Sequence, residues 1–141
     1  MKPYIFLPHT ADAKFQAFGK TLSEAFKNAA YAMTDIITDH KKVKAKVKEA
    51  IKIKSENREA LLYDFLEKFL ILLDTKGFLL GKIKEIKIQE KDNSFILDAS
   101  ISGDNHPEKY ETKTTVKAVT YQRMFIRKVK KRFVLQVIVD I

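Results

Sequence analysis

The chain has 141 residues, 45% hydrophobic and 11% aromatic, enough to bury one core and too apolar for a disordered polyelectrolyte. It contains no cysteine, which excludes a disulfide framework, a thiolate metal site and a cysteine nucleophile. The formal charge is +9, from 27 Lys and Arg against 18 Asp and Glu; such a balance steers a protein toward polyanions or acidic partners without setting its fold.

The N-terminus, Met1–Lys14, has a short apolar stretch, but Pro8 interrupts it and Asp12 follows closely, so it lacks a signal-peptide pattern. The apolar region around Phe65–Leu73 is too short to span a bilayer. A cytoplasmic protein without membrane contact is expected. From Asp12 to Phe18 the pattern alternates, with Ala13, Phe15 and Ala17 on one face, which predicts a strand ending at Gly19. Phe18 breaks the alternation. Thr21 followed by Glu24 matches a capping box, and the stripe Leu22, Ala25, Phe26, Ala29, Met33 and Ile37 predicts a helix over Leu22–Ile37.

Between Val43 and Lys54, apolar residues alternate with Lys44, Lys46, Lys48, Lys52 and Lys54, the signature of a strand with one solvated face. That lysine ladder reads first as solvation and edge protection, second as a surface for an acidic partner. Asn57 opens a second helix whose buried face runs from Leu61 to Leu73, ending near Asp74 with Gly77 as C-cap. Strands follow over Leu79–Glu90 and Ser94–Ser102, turning at Asp92-Asn93, and then a polar loop from Gly103 to Glu108. The remaining chain predicts a strand over Thr112–Tyr121, a continuing or bulged segment Gln122–Lys130, and a strand Arg132–Asp140 that is apolar on both faces and therefore interior. Two amphipathic helices and six or more strands amount to an α+β fold: a single layered domain over residues 1–141, with the helices packed on a mixed or antiparallel sheet.

Candidate chemistry sits near the two ends. Asp12, in the tetrapeptide His9-Thr10-Ala11-Asp12, is a surface carboxylate, a cap or an oxygen ligand. Asp140 precedes Ile141, whose terminal carboxylate would lie beside it; adjacent acids repel unless they are exposed, protonated or paired with a cation. A cation held between Asp12 and this pair requires the two ends to meet. Lys117 shares a parity with Val119 and Tyr121, which places its charge among partly buried groups, where it pairs an acid or orients a phosphate. His106 is a surface histidine or a phosphate contact. No P-loop, dinucleotide fingerprint or HExxH pattern is present.

The tetrapeptide His9–Asp12 resembles the N-terminal motif of the archease family. Three further blocks match in order: Gly19-Lys20-Thr21-Leu22-Ser23-Glu24-Ala25-Phe26 at the first helix, Glu59-Ala60-Leu61-Leu62 at the second, and Lys117-Ala118-Val119-Thr120-Tyr121, with Val139-Asp140-Ile141 as the ending. The resemblance implies a strand-helix-strand-strand module with an insert. It also implies a non-catalytic accessory protein that promotes guanylylation and turnover of an RtcB-type RNA ligase in tRNA splicing, with RNA contact in that complex and none with DNA. A divalent cation, Ca²⁺ with Mg²⁺ or Mn²⁺ admitted, is implied on Asp12, Asp140 and the terminal carboxylate of Ile141. His9 is expected to position the Asp12 segment, Lys117 to carry a functional charge, and Glu59 and Asp64 to support polar or partner contacts. The chain departs from the family at Gln122, where His is common and whose charge glutamine lacks, and in its short Gly103–His106 loop. The rival readings are a basic RNA-binding or RNA-chaperone module acting without a ligase, and a metal-dependent hydrolase.

Overall fold

The computed structural model describes residues 2–9 and 11–141. The apolar run ahead of Pro8 forms a strand of its own, β1 (Tyr4–Leu7), too short for alternation to reveal. β2 (Asp12–Gly19) buries Phe15 and Ala17 on one side, as the alternation predicts. Phe18 points the other way and is buried as well, because the guanidinium of Arg132 covers its ring at 4.7 Å from the centroid.

Thr21 caps α1 (Leu22–Ile37), its hydroxyl accepting from the Glu24 amide at 3.1 Å. The reciprocal carboxylate bond of a capping box is not made among the described residues. β3 (Val47–Ser55) begins four residues later than the alternation predicts. The preceding segment is fastened elsewhere: Val43 is buried, the Lys44 amide donates to the Tyr110 hydroxyl at 3.1 Å, and the Lys46 amide donates to the Gly103 carbonyl at 2.8 Å. α2 (Arg58–Lys76) starts with the Asn57 side chain accepting from the Ala60 amide at 2.7 Å. It closes on Gly77 at φ 66°, with the Phe78 amide donating to the Leu72 carbonyl at 3.1 Å, a C-terminal motif that needs the left-handed conformation.

β4 (Leu79–Lys91) and β5 (Ser94–Asp104) turn at Asp92 and Asn93, both at positive φ. Gly103 and Asp104 belong to the end of β5, not to a loop. A Cβ on Gly103 would lie 1.9 Å from the Leu79 carbonyl oxygen, so only glycine admits the neighbouring strand there. The expected strand Thr112–Tyr121 is reduced to β6 (Ala118–Val119). Upstream, the Lys113 amide donates to the Ile37 carbonyl at 2.8 Å and the Thr38 hydroxyl donates to the Glu111 carbonyl at 2.7 Å. These bonds tie the segment to the end of α1 and take it out of any ladder. A turn with Arg123 at φ 53° leads into β7 (Phe125–Val129), and β8 (Arg132–Asp140) completes the chain.

Every strand pair described is antiparallel, so the mixed sheet admitted by the sequence is not formed. The strands make two sheets: β1-β2-β8-β6, with β7 also on β8, and β3-β5-β4. β8 is interior, flanked by β2 on one side and by β6 and β7 on the other, and residues 134–139 are all buried. One hydrophobic cluster joins both sheets to the helices, with Phe26 packed on Phe65 (centroids 5.8 Å apart) and Phe65 edge-on to Phe69 (5.0 Å). The α+β architecture is the expected one.

Candidate functional site

Antiparallel pairing of β2 with β8 puts Asp12 directly opposite Asp140, so the two separated acids meet. Directly paired residues share a face of the sheet, with Cβ atoms about 5 Å apart. Two like charges so placed are destabilising unless something offsets them. Among the described residues neither carboxylate has a Lys or Arg within ion-pair distance. His9 supplies the local partner: its ring Nδ1–H donates to the Asp12 carboxylate, which fixes one oxygen and leaves the other free to accept.

The approach to Asp12 is set by Ala11, at φ 69°. That left-handed region favours glycine, and a side chain held there is characteristic of positions where geometry serves a site. Thr10, the remaining member of the tetrapeptide, lies outside the described residues. On the far side of β8, the Lys117 amide donates to the Asp140 carbonyl at 2.7 Å, and the Thr120 amide and hydroxyl both donate to the Ile138 carbonyl, at 3.2 and 2.7 Å. The Lys117-Ala118-Val119-Thr120-Tyr121 block is thus a clamp on the last turn of pairing before Ile141. The Lys117 side chain is exposed. The partly buried position expected from its parity is overturned, because the strand that parity assumed is only two residues long.

Tyr121 ends the clamp by stacking on Tyr63 of α2, centroids 4.4 Å apart and planes within 9°. Removal from water, then the negative charges of Asp64 and Glu67 nearby, push both phenols above their ordinary pKa. Asp64 itself accepts from the Ser55 hydroxyl at 2.7 Å, joining α2 to the end of β3. Glu59 lies in the first turn of α2, where its charge meets the positive end of the helix dipole. Neither acid reaches Asp12 or Asp140 through a described hydrogen bond, so the structure separates these two residues from the paired carboxylates. His106 pairs with Glu108 at 3.1 Å on the surface, and Gln122 is exposed next to the tyrosine stack. Of the lysine ladder, Lys48, Lys52 and Lys54 lie on the outer face of β3, with Lys52 3.9 Å from Asp98 across the sheet, while Lys44 and Lys46 precede the strand.

The donor set at the paired ends is made of hard oxygens: two carboxylate side chains and the main-chain oxygens of Ile141. It suits a divalent cation of the Ca²⁺, Mg²⁺ or Mn²⁺ class, with water or a partner filling the rest of the six or more positions such ions take. Among the described residues no group of three His, Cys, Asp or Glu side chains is placed to hold an ion. Reading the sequence singled out the acids and Lys117. It missed Tyr63 and held Ala11 and Thr120 only as motif members without a role, until the fold sets the three against Tyr121, Asp12 and Ile138.

The model of the Archease protein family matches residues 4–141. Among curated relatives, an archease of Pyrococcus furiosus is 39% identical over all of both chains. Another, of Methanothermobacter thermautotrophicus, is 42% identical over 89% of each. The solution structure of Methanobacterium thermoautotrophicum protein 1598 has the same fold with a TM-score of 0.89 at 39% identity, each chain wholly covered. A crystal structure described as an archease, possible chaperone, from Thermotoga maritima shares the fold alone, with a TM-score of 0.60 at 16% identity over 96% and 94% of the two chains. A match spanning nearly every residue, at this identity and with this fold, makes the chain a member of the archease family.

Proposed function

We propose that this protein is a cation-binding, non-catalytic accessory of an RtcB-type RNA-splicing ligase, promoting the ligase's guanylylation and turnover in tRNA processing. The observation that carries the reading is the direct pairing of Asp12 with Asp140 at the edge where the Lys117–Tyr121 block clamps β8. A structural role alone does not call for two like charges in opposed register.

Asp12, Asp140 and the terminal carboxylate of Ile141 hold the cation, Ca²⁺ being the best fit to an oxygen-only set. When bound, the ion supplies positive charge that offsets the carboxylates and can face a phosphate. His9 orients Asp12 through the imidazole bond, Lys117 holds the Asp140 carbonyl through its amide and exposes a positive side chain, and the Tyr63–Tyr121 stack keeps the clamp against α2. Glu59 and Asp64 secure the start of that helix and its join to β3, and so support the surface presented to the ligase.

The test is guanylylation of purified cognate ligase with GTP and a divalent cation, with and without this protein. Stimulation is expected, falling at least about tenfold in the Asp12→Ala and Asp140→Ala variants as the interaction that carries it is lost. Undiminished stimulation by variants whose circular dichroism is native would remove the paired acids from the mechanism. Turnover of a nucleotide or phosphoester by the protein alone, abolished by Asp12→Ala, would instead make it a hydrolase.

A further inference from the structure

Three of the chain's four arginines, Arg123, Arg127 and Arg132, fall in one ten-residue stretch together with Lys128, Lys130 and Lys131, and no Asp or Glu occurs from Thr112 to Val139. The structure folds this stretch into the β7–β8 hairpin, turning at Lys130-Lys131 with Val129 opposite Arg132. The turn is built against local preference. Lys130 takes φ 60° and Arg123, at the preceding turn, takes φ 53°, positions where glycine or asparagine is the favoured residue. Asp92 and Asn93, at the chain's other tight turn, follow that preference. Cations kept where they strain the backbone are a sign of a use for their charge.

Their arrangement fits a ligand with regularly spaced negative charge. The guanidinium of Arg127 sits over the Phe125 ring at 4.0 Å from its centroid and that of Arg132 over Phe18 at 4.7 Å, so both are held against rings on the same face of the sheet. By register they are diagonal neighbours, roughly 7–8 Å apart at the backbone, close to the interval of successive phosphates along a nucleic-acid strand. Lys20, Val129, Lys130 and Lys131 line a shallow depression of about 640 Å³ beside Arg132. The lysine ladder on β3 is a weaker candidate, since acids share its sheet: Lys52 meets Asp98 and Lys87 meets Glu85 at 3.5 Å.

We infer that the β7–β8 hairpin binds the phosphate backbone of single-stranded RNA without regard to sequence. A planar guanidinium fork matches phosphate in a way an ammonium does not, and it is the arginines that concentrate here. The single exposed Val129 at the tip offers too little apolar surface for membrane insertion. Only the choice of RNA over DNA rests on the ligase reading; the binding itself does not.

The experiment is fluorescence anisotropy of a labelled single-stranded RNA oligonucleotide with the whole chain and no ligase. Binding at about 50 mM salt is expected, with log K falling against log salt by about 0.7 per phosphate neutralised. The exposed pair Arg127→Glu and Lys131→Glu is expected to weaken it at least about tenfold. Lys48→Glu with Lys52→Glu, an equal change of net charge on the ladder, should weaken it about twofold or less. Lys130→Gly relaxes the turn, so it should keep or raise the melting temperature while lowering affinity about threefold. Absence of binding, equal loss from both charge-reversed pairs, or an effect of the hairpin pair on anionic vesicles and not on RNA would each overturn the proposal. Failure here with guanylylation still stimulated in the absence of RNA would leave the ligase reading standing.

Discussion

Asp104 shows how a residue's position outweighs its type. In the sequence it stands in a run of polar residues that reads as loop, yet it is 1% exposed at the end of β5. It accepts from the Tyr110 hydroxyl at 2.7 Å and from the His106 amide at 3.1 Å. The Tyr110 bond foremost, then the His106 amide and the charges of Lys109 and His106, hold its carboxyl below the ordinary range against the opposing effect of burial. A carboxyl depressed in the folded state contributes stability that is present above its unfolded value, near 4, and is lost as pH falls through the folded value. Asp104→Asn is therefore expected to lower the melting temperature at pH 7, with the gap to the native protein narrowing below about pH 4. A gap of constant size from pH 7 to pH 3 would mean that the charge contributes nothing. Asp12 and Asp140 were legible as acids at the two ends of the chain, and as ion ligands through the family motifs that contain them. Lys117 was legible as a motif residue but misplaced, since parity has meaning only where a ladder exists.

At the scale of elements, local signals located the helices well. Both start where a capping side chain and an apolar stripe coincide, and the second ends on Gly77 as its left-handed requirement dictates. Asn57→Ala should cost about 1 kcal/mol, read as a drop of a few degrees in the thermal midpoint with little change in the folded spectrum. A drop indistinguishable from zero would show that packing of Leu61, Phe65 and Phe69 alone fixes the start of α2. The strands were less legible in proportion to their dependence on other elements. β4, β5 and β8 carry long patterns and were found, whereas β1, defined by the strand it pairs with, was not, and β6 was drawn too long. The segment 111–117 could form a strand by composition; its bonds to Ile37 and Thr38 take it elsewhere.

For the whole molecule, the decisive fact is that β2 pairs with β8, which brings Asp12 to Asp140. If this meeting point holds a cation, the ion binds only the folded state and stabilises it by RT ln(1 + [L]/Kd), about 2.7 kcal/mol at a hundredfold excess over Kd. Calcium should accordingly raise the melting temperature of the native chain and leave Asp140→Asn unmoved; no shift with Ca²⁺, Mg²⁺ or Mn²⁺ would sink the cation site independently of any ligase assay. The sequence by itself determined the layered α+β class, both helices, the interior character of β8 and the motif set of the archease family, because these are written in short-range periodicity, caps and contiguous blocks. The tertiary structure alone decided the division into two antiparallel sheets, the opposition of the two acids, the clamp by Thr120 and Tyr121 and the stacked arginines of the β7–β8 hairpin. Strand partners far apart in the chain are chosen by which pairing buries the most apolar surface and satisfies the backbone, and no local window of residues contains that comparison.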